Sequence, residues 1–331
     1  MDSLVVEDEW AGCPLDELLT AHWPRVPKGR IRDLVRAGRI TVDGRPAQPG
    51  DSLRAGQVVI LEEPLEQHER ERMPAVPIEV LHEDEHLLAI QKPPGLPVEP
   101  SRWGEHPVHL SGAMTTWAQE RVGAGPLAKR PRGLHRLDLG TSGVLLFALT
   151  LEAERFYRGL FAAGAVEKVY HAIVLGRLEE AGAVDEPIGP DEQRAGQMRI
   201  DGSGKPAQTA YAPLETFRAH TLVEARPRTG RTHQIRVHLA HVGHPLAVDT
   251  RYGGGPSLFL SHIKRGYRPK PGRPEKPLLD RLSLHARAVR VPRFGAAEGS
   301  DLEIVAPYPD DFARALKQLR RWSGLDPQVS R

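Results

Sequence analysis

Short apolar runs alternate with polar stretches along the chain, and the period of the alternation changes from one region to the next. In "GRIRDLVRAG" Ile31, Leu34 and Val35 recur at helical spacing, Arg32 and Arg36 fall one turn apart on another face, and Gly38 supplies a stop. The spacing predicts a short amphipathic helix with a basic side. "RITVDGRPA" follows with an Asp43-Gly44 pair between short strand formers, a two-residue hairpin signal, and "PGDSLRAGQVVILEE" adds a turn and a strand. Further on, "HLLAIQKP" and "GVLLFALT" are unbroken apolar runs ended by turn or polar residues, which predicts strands covered on both faces. "EKVYHAIVLG" switches to period two and places Lys168, Tyr170, Ala172 and Val174 on one face of a strand. In "THQIRVHLAHVGHP" the period is helical again. Ile235, Leu239 and Val242 mark one buried side, His233 and Arg236 share a neighbouring face, and Gly243 and Pro245 end the helix.

The stretch 63–77 has little apolar periodicity and three prolines, so it reads as a linker between a small unit, 1–62, and a larger one, 78–331. In the larger unit strands and helices alternate without the repeat of a parallel βαβ protein, which points to an α+β fold. The length of 331 residues accommodates two domains with a packed core. No apolar run approaches the ~20 residues of a membrane span. The acidic start "MDSLVVEDEW" is unlike a secretory leader, and the lone Cys13 allows neither an internal disulfide nor a thiolate zinc site. The expectation is a cytoplasmic protein, monomeric and away from membranes.

A net charge of +2 conceals an uneven distribution. Residues 25–45 hold Arg25, Lys28, Arg30, Arg32, Arg36, Arg39 and Arg45 against Asp33 and Asp43. Lys129, Arg130, Arg132 and Arg136 form a second cluster, and "HIKRGYRPKPGRPEKP" a third, with six basic residues, one acid and four prolines. Such patches suit a polyanionic partner.

The second cluster surrounds "HRLDLGTSG". Taken alone, Asp138 reads as a turn or cap residue. Its setting adds a second reading, because Gly140 and Gly143 would let the backbone approach a ligand, and Arg136 or the distant Arg236 could keep a poorly hydrated carboxylate ionised. Several familiar sites fail on spacing. "GTSG" lacks the last glycine of a nucleophile elbow, since Val144 stands there, and no Gly-x-x-x-x-Gly-Lys-Ser/Thr loop is present. His238, His241 and His244 invite a zinc reading, but the helix breaks at Gly243 and there is no His-Glu-x-x-His. For a two-carboxylate glycosidase, Asp249 and Glu224 are available second acids that nothing in the sequence pairs with Asp138.

"GLHRLDLGTSGVLLFALT" resembles the signature segment of the RluA-class pseudouridine synthases. The likeness continues in order through "HEDEHLLAIQKPPGLPVEPS", "EKVYHAIVLG", "PRTGRTHQIRVHLAHVGHPLAVDTRYGG" and "LSLHARAV", and covers roughly residues 78–310. "RIRDLVRAGRITVDG" is similar to an S4-like RNA-binding domain. The resemblance implies a mixed, largely antiparallel catalytic sheet preceded by a small S4-like α/β domain. It further implies isomerisation of uridine to pseudouridine in RNA without a metal or other cofactor. Asp138 matches the catalytic aspartate, which acts on the ribose either by attack on a sugar carbon or by removal of a sugar proton. Arg236 matches the arginine that pairs with it, and Tyr170 the tyrosine that packs on the flipped base and serves proton transfer. Arg136 matches a residue that enters the RNA stack, and Leu284 the floor of the pocket. His135, Lys168 and His233 join the substrate-binding set, while Lys28, Arg30, Arg32, Arg36 and Arg39 form the RNA-binding helix and its flank. The RNA expected from the accessory domain and basic patches is large-subunit ribosomal RNA. A transfer RNA is the alternative substrate, and a non-catalytic ribosome-assembly factor the alternative role. Two features depart from the simplest pattern: Gln91 replaces a common asparagine, and the basic 257–279 stretch is long.

Overall fold

The computed structural model describes residues 2–23, 26–68, 76–99, 108–122, 131–269, 272–297 and 299–324. They belong to two compact units, Met1–Val76 with Leu110–Pro131, and Pro77–His109 with Arg132–Arg331. The first unit contains β1 (Asp2–Val5), α1 (Leu15–His22), α2 (Lys28–Arg36), β2 (Ile40–Val42), β3 (Arg45–Pro46) and β4 (Val58–Leu61), with an antiparallel sheet in the order β1-β4-β2-β3. Asp43 and Gly44 have φ of 51° and 71°, the left-handed values a two-residue hairpin turn requires. The Asp43 carboxylate accepts the Val58 amide at 2.8 Å, which ties the turn to β4. Asp16 of α1 is buried and accepts from Arg32 Nε of α2 at 2.6 Å, so the helix pair shares an ionic pin. In the stretch expected to be a linker, Leu65–His68 form a 3-10 turn with Leu65 buried, and 69–75 lie outside the described residues. The helix α3 (Leu110–Val122) falls within the span read from sequence as one catalytic domain but belongs to the first unit.

The second unit begins with β5 (Glu79–Glu83), β6 (Leu87–Lys92), β7 (Arg132–Gly133), β8 (Ser142–Ala148), α4 (Leu151–Ala163) and β9 (Glu167–Leu175). Next come β10 (Gly182–Asp185), β11 (Ile188–Pro190), β12 (Met198–Ile200), β13 (Gln208–Thr216), β14 (His220–Pro227) and α5 (Gln234–His241). It closes with α6 (Leu260–Ile263), β15 (Leu284–Pro292), β16 (Asp301–Val305) and α7 (Asp310–Ser323). The main sheet runs β10-β13-β14-β9-β15-β8-β6-β5, with β16 on β15 and β7 on β8. All of its pairings are antiparallel except β15 with β8, so the mixed, largely antiparallel sheet expected from sequence is present.

The two faces of β9 lead to different neighbours. Ala172 and Val174, with Val223 and Ala225 of β14, pack against Ile235 and Leu239 of α5. Ile173 and Leu222 pack instead with Ile263 of α6 and with Phe312, Leu316 and Leu319 of α7. Hence α5 covers one sheet face and α6 with α7 the other. Period two in β9 is correspondingly incomplete, since Ala172, Ile173 and Val174 are all buried. The expectation of a single buried side for α5 also needs correction. Gln234 through Leu239 are all buried and Val242 only half so. The sheet takes Ile235 and Leu239, while Val237 packs on Ile188 and Ala207 on another side.

The glycines after Asp138 have a different use from the one read in the sequence. A Cβ on Gly140 would lie 3.0 Å from Leu282 Cγ, and one on Gly143 would overlap the Ala286 carbonyl at the parallel junction of β8 and β15. They allow chain to approach chain, not chain to approach ligand. Beside them Ser142 Oγ is 2.9 Å from His285 Nδ1, so the serine of the elbow-like motif is bonded within the sheet. Because Gly143 also has φ of 117°, Gly143→Ala should lower the unfolding free energy by about 3 kcal/mol or more. Urea denaturation of the purified variant measures this.

Candidate active site

The turn between β7 and β8 carries Asp138 into a cleft of about 1010 Å³ in the second unit, and Arg236 enters the same cleft from α5. Arg236 Nη1 donates to Asp138 Oδ2 at 2.9 Å. The rest of the guanidinium is held by Asp249, with Nε to Oδ2 at 2.7 Å and Nη2 to Oδ1 at 3.0 Å, a bidentate pair. The Tyr252 ring lies 4.9 Å from the guanidinium carbon. Burial by itself would lower the Arg236 pKa, but hydrogen bonding to Asp249 and the charges of Asp138 and Asp249 prevail, and the pKa is raised. Side-chain exposure grades the three groups: 1% for Asp249, 6% for Arg236 and 21% for Asp138. Asp249 is therefore structural in its burial, whereas Asp138 keeps one side open to a ligand.

Tyr170 and Leu284, on neighbouring strands β9 and β15, line the cleft with Asp138. Burial, and then the Asp138 charge, push the Tyr170 phenol above its ordinary pKa, so it stays protonated. Lys168, on the same strand face, donates to the Thr229 carbonyl at 3.0 Å, and burial lowers its pKa to about 8. Beneath the Asp138 turn sits Lys92 of β6, fully buried. Its Nζ donates to the carbonyls of Pro93 and Leu96 at 2.8 Å and of Leu139 at 3.2 Å. Burial, followed by the Arg281 charge, pulls the Lys92 pKa down to about 7 against the opposite pull of Asp138. The Gly95 amide reaches the same Leu139 carbonyl at 2.8 Å, so Lys92 and the Pro-Pro-Gly turn together fix the residue that follows Asp138.

Comparison with known proteins gives this geometry its context. The RNA pseudouridylate synthase family matches residues 86–241, and the S4 domain family matches residues 13–59. A ribosomal large subunit pseudouridine synthase D of Pseudomonas aeruginosa is 34% identical over 318 residues, 95% of this chain and 94% of that protein. The protein of the same name from Xanthomonas campestris is 34% identical and covers 99% of this chain and 95% of its own. The chain belongs to the RNA pseudouridylate synthase family. Two human structures agree: RNA pseudouridylate synthase domain containing 4 has a TM-score of 0.55 at 26% identity, covering 73% of this chain and 93% of that one. For domain containing 1 the TM-score is 0.52 at 25% identity, with 77% and 100% covered. A pseudouridylate synthase is an isomerase acting on RNA, so the enzyme class and RNA substrate read from sequence hold.

Within this pseudouridylate synthase the structure brings Asp138, Arg236, Tyr170, Leu284, Lys168, Arg136, His135 and His233 to one cleft. Arg136 is exposed at its rim. His135 is engaged by the scaffold: its Nε2 accepts the Leu146 amide at 3.1 Å and its ring stacks on Phe161 at 5.1 Å. His233, in the left-handed region at the start of α5, is hydrogen-bonded through Nδ1 to the Tyr252 hydroxyl, 2.7 Å away. The other two histidines named with a zinc reading diverge from His238, which bonds to Thr209 Oγ1 at 2.9 Å: His244 bonds to the Leu175 carbonyl and His241 is exposed. Asp249, weighed in the sequence as a second acid, belongs instead to Arg236, and Lys92 had no role assigned although its Lys-Pro motif was visible. Glu224 pairs with Arg226 at 2.7 Å.

The basic helix α2 is less free than its sequence implied. Lys28 pairs with Glu17 and Asp16, Arg32 with Asp16, Arg36 with Asp33 and Arg39 with Glu62, leaving Arg30 exposed without an ion pair among the described residues. Three of these acids lie outside the 25–45 window and offset its apparent excess charge. In the second basic cluster, Arg132 pairs with Glu154 at 3.3 Å, and Lys129 and Arg130 lie outside the described residues.

Asp249→Asn keeps the shape of the side chain and removes half the support of Arg236. It should lower kcat by up to about 100-fold with a much smaller change in KM, read from single-turnover pseudouridine formation. Stability should also fall in acid. Burial lowers the pKa of His135, His171, His220, His233 and His285 from 6.5 to about 4. Between those values the unfolded chain binds protons that the folded chain does not, so stability is lost as pH falls from 6.5 towards 4. Urea midpoints that stay level across that window would contradict this.

Proposed function

We propose that the protein forms pseudouridine in large-subunit ribosomal RNA, with Asp138 as the carboxylate that acts on the ribose of a flipped-out uridine. The observation that carries this is the 2.9 Å contact of Asp138 with a buried Arg236, which pairs the carboxylate with a fixed cation and leaves one side of it open to the cleft. The mechanism is one of placement. A uridine inside a helix or a stacked loop cannot reach this carboxylate, so its base leaves the stack and enters between the Tyr170 ring and the Leu284 side chain. A protonated Tyr170 offers an uncharged aromatic face to the base, and the isomerisation is balanced by the proton that ring carbon 5 releases and the proton that ring nitrogen 1 gains. The glycosidic bond from ribose to ring nitrogen 1 breaks, the detached uracil turns within the cleft, and ring carbon 5 joins the ribose. Excluding water protects the detached intermediate while it turns.

Arg136 at the rim fills the gap left by the departing base, and Lys168 meets the phosphate nearby. His135 and His233 act from behind, one by fixing the strand entry to the Arg136 segment and the other by fixing the start of α5. Arg30 and the outer faces of Lys28, Arg32, Arg36 and Arg39 serve RNA contact in the first unit. The ribosomal substrate is supported by the names of the relatives, which span nearly the whole chain. A purely non-catalytic role loses its footing because Asp138, Arg236 and Tyr170 are all present and meet at one site.

The test is Asp138→Asn. The variant should lose pseudouridine formation in large-subunit ribosomal RNA by at least about 10⁴-fold, on the scale of removing a group that takes part in the chemistry, while binding the RNA within a few-fold of the parent. Retained activity would remove Asp138 from the mechanism. Pseudouridine mapping in cells with and without the gene decides between ribosomal and transfer RNA.

A further inference from the structure

None of the described residues of the basic 257–279 stretch lines the cleft, yet the structure gives them a defined place. α6 and the segment after it pack on α7, on the sheet face opposite α5 and the cleft. Lys264 Nζ lies 4.1 Å from the centre of the Trp322 ring, in the last turn of α7, and the Arg321 guanidinium lies 4.9 Å from the same ring. The loop and the end of the helix therefore contribute to one cluster.

Lys264, Arg265, Arg268, Lys317 and Arg321 have no carboxylate within ion-pairing distance among the described residues, and all but the half-buried Lys264 are exposed. This is the reverse of α2, whose cations are mostly paired. The nearby acids are engaged or remote. Asp311 holds Arg281 at 2.7 Å, Glu215 holds Arg320 at 2.9 Å, and Glu275 accepts the Ser261 amide. Asp310 and Asp311 occupy the first turn of α7, away from Arg321. The helix dipole favours cations at the last turn and accounts for Arg320 and Arg321. It does not account for Lys264, which a separate segment brings to the same end, with Arg265 and Arg268 following in that segment. Unpaired cations such as Lys264 and Arg321, which share the Trp322 ring, repel one another, and a polyanion that they bind relieves the repulsion and releases counterions.

We propose that this patch at the C-terminal end of α7 is a second RNA-binding surface, which grips the phosphate backbone of a helical segment distinct from the one that carries the target uridine. Phosphate contact of this kind fixes position without reading sequence. The two surfaces lie on opposite sheet faces, so only a folded RNA large enough to reach both engages them together. The proposal rests on the reading of the protein as an enzyme of structured RNA.

The experiment uses the full chain and a variant with Arg265→Gln, Arg268→Gln, Lys317→Gln and Arg321→Gln, which spares the Lys264 contact with Trp322. A control neutralises Arg155, Arg194, Arg199 and Arg290, exposed elsewhere on the second unit. The probe is an RNA duplex of about 16 base pairs without a target site. At about 100 mM salt the patch variant should bind it at least about ten-fold more weakly, with a salt dependence shallower by about 1 for each cation removed, and the control should change little. Activity on a short stem-loop carrying the target uridine should stay within about two-fold of the parent, which also shows that the variant folds. Equal weakening in variant and control, or no weakening in the variant, overturns the proposal. Loss of binding to phosphatidylserine vesicles with duplex binding retained would assign the patch to a lipid surface and equally overturn it. If the parent made no pseudouridine yet its duplex binding mapped to the patch, the enzymatic reading would fail and the surface would stand.

Discussion

A buried guanidinium between two carboxylates is the constraint on which the second unit is built. Removing such a charge from water costs several kcal/mol, and only close, hydrogen-bonded partners offset it. Arg236 obtains them from Asp249, 13 residues along the chain, and from Asp138, 98 residues away. The pairing closes only when β8, β9, β15 and α5 are in their proper register, so the chemistry of the cleft and the order of the sheet depend on one another. Tyr252 beneath the guanidinium, with its hydroxyl between His233 and the Met198 amide, extends the same support to the start of α5.

The scaffold around the cluster works mainly by neutral groups. The ring of His135 accepts a strand amide, His285 meets Ser142, and His238 meets Thr209, all with burial holding their pKa values down. Neutral imidazoles satisfy buried polar atoms without adding charges that would compete for Asp138. Lys92 is the exception, a buried amine that gathers three carbonyls under the turn. Gly140 and Gly143 permit the close chain contacts on which that turn leans.

Much of this was legible in the sequence where the signal was local. The Asp43-Gly44 hairpin, the apolar runs that became β6 and β8, and the ordered motifs bearing Asp138, Tyr170 and Arg236 could be read from neighbouring residues alone. What could not be read depended on partners distant in sequence. Asp249 looked like a free acid because its tie to Arg236 exists only once α5 and the following turn fold together. The net charge near α2 looked larger than it is because Asp16, Glu17 and Glu62 come from outside the stretch. β1 was hidden in an acidic start, paired through its backbone to β4. Of the helices not read from the sequence, α4 and α7 carry ordinary signals: α4 has Thr150 capping its start and Gly164 its end, and α7 has Phe312, Ala315, Leu316 and Leu319 at helical spacing.

The charge count of the buried cluster has a consequence for what the cleft can accept at each depth. Asp249, Arg236 and Asp138 together carry one negative charge, so the interior opposes a second anion but tolerates a neutral ring. The cation Arg136, by contrast, is exposed. A nucleotide is itself divided in the same way, with an uncharged base at one end and an anionic phosphate at the other. For a uridine bound as proposed, the neutral base meets this cluster and the phosphate meets the exposed Arg136, and a phosphate-first entry would bring like charges together.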